Sequence, residues 1–418
     1  MRLRRDPDFA KLLGGQVVSE FGSVVSWTAI PIAAVLVLGA SPFQLAGIVI
    51  ANSVGVTLTS LAAGAWTDRL PRRRLMIAAD FGRAIVLATL PLAAFAGTLR
   101  IELLYVVAFV NAVLGTFFEV AYRSYLPSLV GQDALLDANS ALDAGAESAW
   151  IVAPTIAGAL VQAVSAPVTI LIDALSFVAS ALSILWIRKP EPVRASAERR
   201  SLRREIAEGV GIVWREPSLR ALFGYTLAGR LFGSFFAALY TIYALQELHL
   251  SPLLLGIAVS AGGVAGVIGS IAGAPFARRY GMATAVLWGG GVLGTIAYLP
   301  LPFAFGPPLL ALGFLLFQQL LGDFWGAVAG VATTTLRQTL APEHALGRVN
   351  SLQYLFVAGV ASLGAVIGAA IAEWYGIRAA VLLAVVGSGL SLVFLVASPI
   401  RRMNAHRPIS TAAAEATA

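Results

Sequence analysis

The chain has 418 residues, of which 58% are hydrophobic and only 12% are charged, and its formal net charge is +7. This composition lies far outside the range of soluble globular domains and is typical of an integral membrane protein. The chain contains no cysteine, which excludes disulfide bonds, thiolate metal sites and cysteine nucleophiles.

Apolar stretches of roughly 20 residues or more follow one another along the chain, each long enough to cross a bilayer core of about 30 Å as a helix. A polar interval, residues 188–218, divides them into two sets of six. The first stretch is too long for the apolar core of a signal peptide, and no small-residue cleavage site follows it, so we expect it to stay in the protein. The predicted spans cover residues 12–38, 45–66, 75–96, 103–120, 138–161 and 168–187, and then 219–245, 253–274, 282–301, 309–333, 352–371 and 377–397.

The fold class predicted from this pattern is an all-α membrane protein with twelve transmembrane helices in two six-helix bundles. We assign residues 1–187 and 219–398 to the bundles, 188–218 to a cytoplasmic linker and 399–418 to a disordered cytoplasmic tail. In the linker, apolar residues recur at helical spacing among charged ones, namely Leu202, Ile206, Val210 and Val213. This spacing favours an amphipathic helix on the membrane surface over a merely solvated linker.

Basic residues are concentrated in one set of loops. Of the 29 Lys and Arg residues, only Arg100 and Arg378 fall in the loops of the opposite set. The positive-inside rule therefore predicts that both termini and the linker are cytoplasmic. The net positive charge reflects this topology and contact with membrane lipids, and it does not indicate binding of nucleic acid.

Residue types that enzymes and cofactor sites need are missing from the spans. The two lysines, Lys11 and Lys189, are followed by leucine and proline, so the chain has no Gly-Lys-Ser/Thr of a P-loop ATPase. The three histidines lie in predicted loops or in the tail. We therefore expect no cofactor, no metal site and no enzymatic activity.

The two sets of spans share short features in the same order. Arg123 and Arg337 end the fourth and tenth spans, and Asn139 and Asn350 open the fifth and eleventh. The segment Gly-Ala-Trp-Thr-Asp-Arg after the second span has a counterpart, Gly-Ala-Pro-Phe-Ala-Arg, after the eighth. Such a parallel duplication of a six-helix unit is the expected build of one large class of transporters.

The loop after the second span carries the sequence Gly64-x-x-x-Asp68-Arg69-x-Pro71-Arg72-Arg73-Arg74. It is similar to the G-x-x-x-D-R-x-G-R-[RK] motif of the major facilitator superfamily, with proline in place of the second glycine. The resemblance implies a twelve-helix transporter whose halves are latched together at this loop on the cytoplasmic side. By resemblance, Asp68 would face the N-terminus of the eleventh span, where a carboxylate meets the positive helix end. Arg69, Arg72 and Arg73 would hold acids at neighbouring helix ends, with Asp80 as a candidate.

The fifth span has small residues at every fourth position from Gly145 to Gly158, with Pro154 among them. This run is similar to the family's antiporter motif, G-x-x-x-G-x-x-x-G-P-x-x-G-G, with alanine in place of several glycines. An ordinary helix-packing face of small residues explains the same spacing. Residues 125–130, 139–140 and 173–177 resemble the branch that holds enterobactin exporters and macrolide efflux proteins. We expect a monomer in the bacterial inner membrane.

Charged side chains at bilayer depth are costly, so each needs a partner, a water-filled cavity or a function. Glu20 lies inside the first span, and Asp143 and Glu147 lie four residues apart on one face of the fifth. We interpret these three residues as candidate proton carriers. The alternatives are a packing hydrogen bond for Glu20 and, for the pair, a position in headgroup water at the end of the span.

We identify Arg230, in the seventh span, as the only basic residue in the middle of a span. An unpaired guanidinium there would be costly, so Asp323 of the tenth span is its predicted ion-pair partner. The alternative is that Arg230 lies open in a cavity and meets an anionic substrate. We expect Glu119 and Arg123 to form an interfacial ion pair and Asp173 to fix helix packing near the outer surface.

A small number of polar and aromatic residues are candidates for lining a substrate cavity. Few fixed polar groups among many apolar ones suit a bulky amphipathic cargo better than a sugar, which needs several converging polar groups. The alternative for the aromatic members is packing in the core or against lipid. The candidates are Gln16, Phe21, Asn52, Arg230, Phe236, Tyr240, Gln318 and Asp323.

The sequence is best interpreted as a secondary transporter that works by alternating access between its halves. Inward proton flow through the carboxylates of the N-terminal half would drive outward movement of an amphipathic small molecule, such as a drug or siderophore. One alternative is a metabolite importer or uncoupled facilitator. The other is a membrane sensor or assembly protein that transports nothing, which the buried ionisable groups disfavour.

Overall fold

The structure is a computed structural model, and it describes residues 6–67, 70–189, 202–342 and 345–400. Within these residues there are twelve helices long and apolar enough to cross a membrane, which confirms the predicted all-α class. The latch residues Asp68 and Arg69 and residues 401–418 of the predicted tail lie outside the described residues.

The first six spans are α1 (Pro7–Leu36), α2 (Pro42–Thr67), α3 (Arg72–Phe95), α4 (Ile101–Val130), α5 (Leu135–Ala163) and α6 (Ala166–Leu185). The linker contains α7 (Leu202–Arg215). The last six spans are α8 (Pro217–Ile242), α9 (Pro252–Tyr280), α10 (Met282–Phe303), α11 (Pro308–Leu340), α12 (Leu346–Tyr375) and α13 (Ile377–Val396).

Several spans begin where the sequence offers a polar cap followed by proline. The Asp6 carboxylate accepts the backbone N–H groups of Asp8 at 2.9 Å and Phe9 at 3.3 Å, with Pro7 at the first helical position. Ser251 caps α9 in the same way, because its hydroxyl accepts the N–H of Leu254. These caps satisfy donors that the first turn of a helix leaves free, and proline needs no donor there.

Equivalent helices pack together in the two halves. α1 packs on α6 as α8 packs on α13, and α2 packs on α4 as α9 packs on α11. α3 on α4 likewise corresponds to α10 on α11. The duplicated sequence features therefore accompany a duplicated packing pattern. Between the halves, the main contacts join α5 to α9 and α2 to α12.

We call the surface where α1, α3, α5, α8, α10 and α12 begin the basic side, because the arginine-rich segments lie there, and the other surface the far side. Near the far side, one apolar core takes residues from both halves, including Ile32 of α1 and Leu239 of α8. Near the basic side the cores are separate: Leu12 and Met76 belong to an N-terminal cluster, whereas Leu336 belongs to a C-terminal one. The halves are thus joined at the far side and part toward the basic side.

Close approach of α5 and α9 seals the far side. The Thr155 hydroxyl donates to the Ser260 hydroxyl oxygen at 2.8 Å, and the Thr155 backbone N–H donates to the same oxygen at 3.1 Å. A methyl group at Gly158 would lie only 2.2 Å from the carbonyl oxygen of Pro252, so the two helix backbones touch there. Glycine at this position permits the contact, as small residues do between membrane helices.

The predicted linker contains a helix, α7. Val213 packs with Phe223 of α8 and Leu352 of α12 in one apolar cluster. Glu208 forms an ion pair with Arg348, with 3.0 Å between Oε2 and Nη1. The helix is therefore attached to the basic end of the C-terminal half.

Candidate substrate cavity and intramembrane charges

A central cavity of about 930 Å³ lies between the halves. Its N-terminal wall includes Trp27 of α1 and Trp150 of α5, whose rings meet edge to face at 5.0 Å. α8, α9 and α11 supply most of the remaining wall, with aromatic side chains and many glycines. The charged residues of the lining are Glu147, Arg230, Asp323 and Arg337. A cavity of this size and composition can hold a bulky, largely apolar small molecule.

Asp323 occupies an unusual position in the C-terminal wall. It ends a π-helical turn, Gln319–Asp323, that interrupts α11, and its carboxylate lies against the backbone of α9. A methyl group at Gly262 would lie 2.2 Å from Asp323 Oδ2 and 2.9 Å from Gln319 Nε2. Isolated π-turns within α-helices are often found at functional sites.

Arg230 lies at the junction of two cavities. It lines the central cavity and also a second cavity of about 740 Å³ between α2, α8 and α12. Its side chain is exposed to this space. Within the described residues no ion pair at 4.0 Å or less joins Arg230 to Asp323. The predicted ion pair is therefore wrong. Because the Arg230 side chain is open to the cavities, it does not need the partner charge that a guanidinium in a packed interior would need.

A third, polar cavity of about 490 Å³ lies inside the N-terminal half between α1, α4 and α5. Glu20 and Asp143 both line it, together with Glu119 and Arg123. Glu119 and Arg123 form the expected ion pair at 2.5 Å, and both are largely exposed. Glu147 instead lines the central cavity. Asp143 and Glu147 lie four residues apart on α5 and line different cavities.

A buried cluster around Arg83 was missed by the sequence analysis, which placed only Arg230 in the middle of a span. Arg83 lies in α3, and its Nη1 atom is 3.8 Å from Oδ1 of Asp80, one helical turn earlier. Its Nε donates to Asn111 of α4 at 3.2 Å, and its guanidinium stacks on the Phe177 ring at 3.7 Å. Asp173 of α6 and Glu20 also act on Arg83 electrostatically. This cluster ties α3, α4 and α6 together beside the polar cavity.

The two acids of the cluster are among the most buried side chains in the protein: Asp80 is 0% exposed and Asp173 is 1% exposed. The Ser176 hydroxyl donates to Asp173 at 3.1 Å. The Asp173 carboxylate also packs against α1, where a methyl group at Gly22 would lie 2.7 Å from its Oδ1. Asp80 was expected to meet the loop arginines, but its ion pair is with Arg83, because Asp80 points into the helix bundle and not toward the basic surface.

Of the two described latch arginines, Arg73 binds the end of α6 and Arg72 binds a backbone carbonyl within α4. Arg73 donates from Nε to the carbonyl of Ile184 at 3.0 Å and from Nη2 to that of Leu185 at 2.6 Å. Arg72 donates to the carbonyl of Ser124 in α4 at 2.9 Å. The last carbonyls of a helix lack partners within the helix and carry partial negative charge, which explains why guanidinium groups bind there.

The remaining candidates are divided among these sites. Phe236 and Tyr240 line the central cavity with Arg230 and Asp323, and Gln16 lines the polar cavity. Phe21 packs in a small apolar cluster beside Trp150. Asn52 and Gln318 line none of the three cavities; Asn52 is exposed on α2, and Gln318 is 1% exposed.

Comparison with known proteins places these features in a family. The Major Facilitator Superfamily profile matches residues 12–363. The chain is 30% identical over 348 residues to the multidrug efflux pump Tap of Mycolicibacterium fortuitum, covering 79% of this chain and 81% of the pump. It is 24% identical over 327 residues to macrolide efflux protein A of Streptococcus pyogenes, covering 76% and 78%.

Solved structures share the fold at low sequence identity. A bacterial homologue of the iron transporter ferroportin in its inward-facing state matches with a TM-score of 0.70 at 20% identity, covering 93% of this chain and 98% of that one. The outward-facing state of that protein, with the same coverage, reaches only 0.55. The nucleoside transporter NupG reaches 0.71 at 14% identity, covering 96% and 100%. These likenesses show that the chain shares the fold of these transporters.

Proposed function

This chain belongs to the Major Facilitator Superfamily, and we propose that it is a proton-coupled exporter of amphipathic small molecules in the bacterial inner membrane. Its basic side faces the cytoplasm under this proposal, with both termini and the linker on that side. The protein would work as a monomer through alternating access between the two six-helix halves.

The observation that carries the proposal is the central cavity between halves that are sealed at the far side. Cargo would enter it from the cytoplasm, since the halves part toward the basic side. The walls are rich in aromatic and small residues and hold few polar groups, which suits an amphipathic molecule better than a sugar. The similarity to Tap and to macrolide efflux protein A supports export as the direction of transport.

Proton coupling is assigned to the polar cavity of the N-terminal half. Glu20 and Asp143 line this cavity, away from the central one. A carboxylate that is protonated from the outer side and deprotonated toward the cytoplasm would cycle once per transport event. A pH difference of one unit supplies about 1.4 kcal/mol for each proton, so one proton per cycle can support roughly tenfold accumulation of a neutral cargo. Protonation would act by changing the relative stability of the two conformations.

The loop between α2 and α3 would act as the latch that is closed in only one of these conformations. Arg72 and Arg73 already bind helix backbone on the basic side. Asp68 would meet the start of α12 when the halves close there, which would stabilise the conformation open to the outside. The latch then sets the balance between conformations without touching cargo.

The proposal is tested by transport in proteoliposomes. Purified protein is reconstituted, a pH gradient is imposed, and movement of the fluorescent cation ethidium is followed. We expect ethidium to move against its concentration gradient only when protons flow down their own gradient in the opposite direction across the membrane. Glu20→Gln should abolish this movement. Ethidium movement that merely equalises concentrations would indicate an uncoupled facilitator. No movement in the presence of well-folded protein would contradict transport of this cargo class.

A further inference from the structure

We propose that Asp323, seated in the gap over Gly262 and flanked by aromatic rings, is the binding site for the positive charge of an organic cation. The inference rests on the proposed function, because it names the class of cargo that the central cavity takes. It assigns the charged group of the cargo to the C-terminal wall, away from the proton carriers of the N-terminal half.

The backbone builds a fixed position for the carboxylate. The π-helical turn brings Gln319 and Asp323 to the same face of α11, where both side chains lie against Gly262 of α9. Any side chain at position 262 would occupy the place of Asp323 Oδ2, since even a methyl group would lie 2.2 Å away. Tyr298 of α10 packs next to this turn, at 3.1 Å from the Cβ position of Gly322.

Aromatic side chains surround the carboxylate. Phe236 meets Tyr240 at 5.0 Å and Tyr298 at 5.6 Å, both edge to face, and all three residues line the central cavity with Asp323. The faces of such rings attract a cation, and they also bury the apolar body that carries it.

The carboxylate has no partner in the protein. Across the described ranges, the structure shows no hydrogen bond and no ion pair to the Asp323 carboxylate, and the hydroxyl of Tyr240, which lines the same cavity, is also buried without a hydrogen-bond partner. Asp323 also lines a smaller cavity of about 260 Å³ that continues from the central one past Phe236 and Tyr298. An unpaired carboxylate among aromatic rings at bilayer depth is stabilised when a desolvated cation binds to it.

The other charges of the cavity differ from Asp323 in position. Arg337, at the basic end of α11, donates to the Gln353 side chain. Glu147 is exposed on α5 in the opposite wall, whereas Asp323 is partly buried. Arg230 repels a cation and attracts an anion, so the cavity offers opposite charges at two separate places. A cation of the right size is therefore expected to bind at Asp323, and a matched anion is not.

Binding of two ions of the same shape tests this assignment. Tetraphenylphosphonium and tetraphenylborate differ in charge and hardly in size, and their binding to detergent-purified protein is measured by isothermal titration calorimetry. We expect Asp323→Asn to weaken tetraphenylphosphonium binding by about ten- to hundredfold, as loss of one partner of a desolvated charge pair does. Tetraphenylborate binding should change by no more than about twofold, and the control Asp137→Asn, at an exposed position near the start of α5 outside the cavities, should leave both ions unaffected.

Two glycine-to-alanine substitutions give a matched pair of variants. Gly262→Ala places a methyl group where the carboxylate lies, and the carboxylate can rotate away without moving the backbone, so the protein should fold and lose affinity for tetraphenylphosphonium. Gly313→Ala changes an exposed position of α11 outside the described cavities, where the new methyl group meets nothing within 4 Å. It should bind both ions as the unmodified protein does. Thermal unfolding of each variant confirms that it is folded.

Several results would overturn the assignment. These are no saturable binding of tetraphenylphosphonium to the unmodified protein, equal weakening of both ions by Asp323→Asn, or loss of cation binding in Glu147→Gln in place of Asp323→Asn. The measurement needs no transport, so it separates the two proposals. Cation binding that depends on Asp323, without pH-driven ethidium movement, would refute the proposed function alone. The reverse result, pH-driven ethidium movement with cation binding that does not depend on Asp323, would refute only the assignment of the cation site.

Discussion

Replacing Gly158 with alanine should open the far side of the protein. A methyl group on Gly158 of α5 would lie 2.2 Å from the carbonyl oxygen of Pro252 at the start of α9. The reciprocal contact is equally close, since a methyl group on Gly256 would lie 2.2 Å from the carbonyl oxygen of Pro154. Both obstacles are backbone atoms of membrane helices, which cannot rotate out of the way. The two helices must therefore separate.

The size of the effect follows from these contacts. Normal van der Waals separation requires the helices to move apart by about 1 Å. Overpacking of this kind costs about 1–3 kcal/mol. The hydrogen bonds between Thr155 and Ser260 would weaken as well, at about 1 kcal/mol each. Together these effects destabilise the observed conformation alone by about 2–4 kcal/mol. The population of this conformation relative to the outward-open conformation should therefore fall by about 30-fold or more.

Distances between spin labels on the two surfaces measure this ratio. The chain has no native cysteine, so pairs can be introduced without a cysteine-free background. Thr98→Cys with Phe305→Cys reports on the far side, and Leu136→Cys with Tyr280→Cys reports on the basic side, all at exposed positions. In Gly158→Ala, double electron–electron resonance should show longer far-side distances and shorter basic-side distances.

Gly266→Ala is the control for this experiment, because its methyl group meets nothing within 4 Å. It should leave both distance distributions as they are in the parent pairs. Far-side distances in Gly158→Ala that match those of the parent would refute the reasoning, since they would mean that the contact between α5 and α9 does not hold the far side closed.

Three further substitutions test the intramembrane charges and the latch. Glu20→Gln should remove pH-driven ethidium movement yet change tetraphenylphosphonium affinity by only a few-fold, because the isostere keeps the hydrogen bonding but cannot cycle a proton; coupling that survives would shift the assignment to Asp143. Arg83→Gln leaves Asp80 buried without a cation and should cost about 3–5 kcal/mol, seen as a lower unfolding temperature in detergent; adding Asp80→Asn should recover part of the loss, and no recovery would argue against the pair. Asp68→Asn should express normally but transport slowly, since ion–dipole contacts of about 0.3–1 kcal/mol each favour one conformation; unmodified transport rates would rule out the latch role.

Most of the fold could be predicted because hydropathy alone marks membrane helices. The helices nevertheless extend past the apolar stretches: the predicted span 12–38 lies within a helix that begins at Pro7, and the span 309–333 within one that ends at Leu340. The extra turns contain polar residues, so hydropathy does not detect them. Their backbone hydrogen bonds and caps, such as Asp6 before Pro7, still favour the helix.

The site was harder to predict, because hydropathy does not show which faces of the helices meet. Arg83 is enclosed by a long apolar stretch and escaped notice, although Asp80, three residues earlier, is the typical spacing of a helical ion pair. The pairing of Arg230 with Asp323 assumed that the two charges must neutralise each other, whereas a cavity lies between the halves. The π-turn at Gln319–Asp323 has no clear local signal in the sequence, yet it decides where the carboxylate points.

Proton movement driven by cargo is the most direct test of coupled export. Proteoliposomes with a trapped pH-sensitive dye and no initial pH gradient are given an outside-to-inside gradient of ethidium, with protein-free liposomes as the control for passive entry and with valinomycin and equal potassium to hold the membrane potential at zero. We expect protons to leave the lumen as the cation enters it, and Glu20→Gln to carry out neither movement. Cation entry with an unchanged lumen pH would contradict proton-coupled antiport.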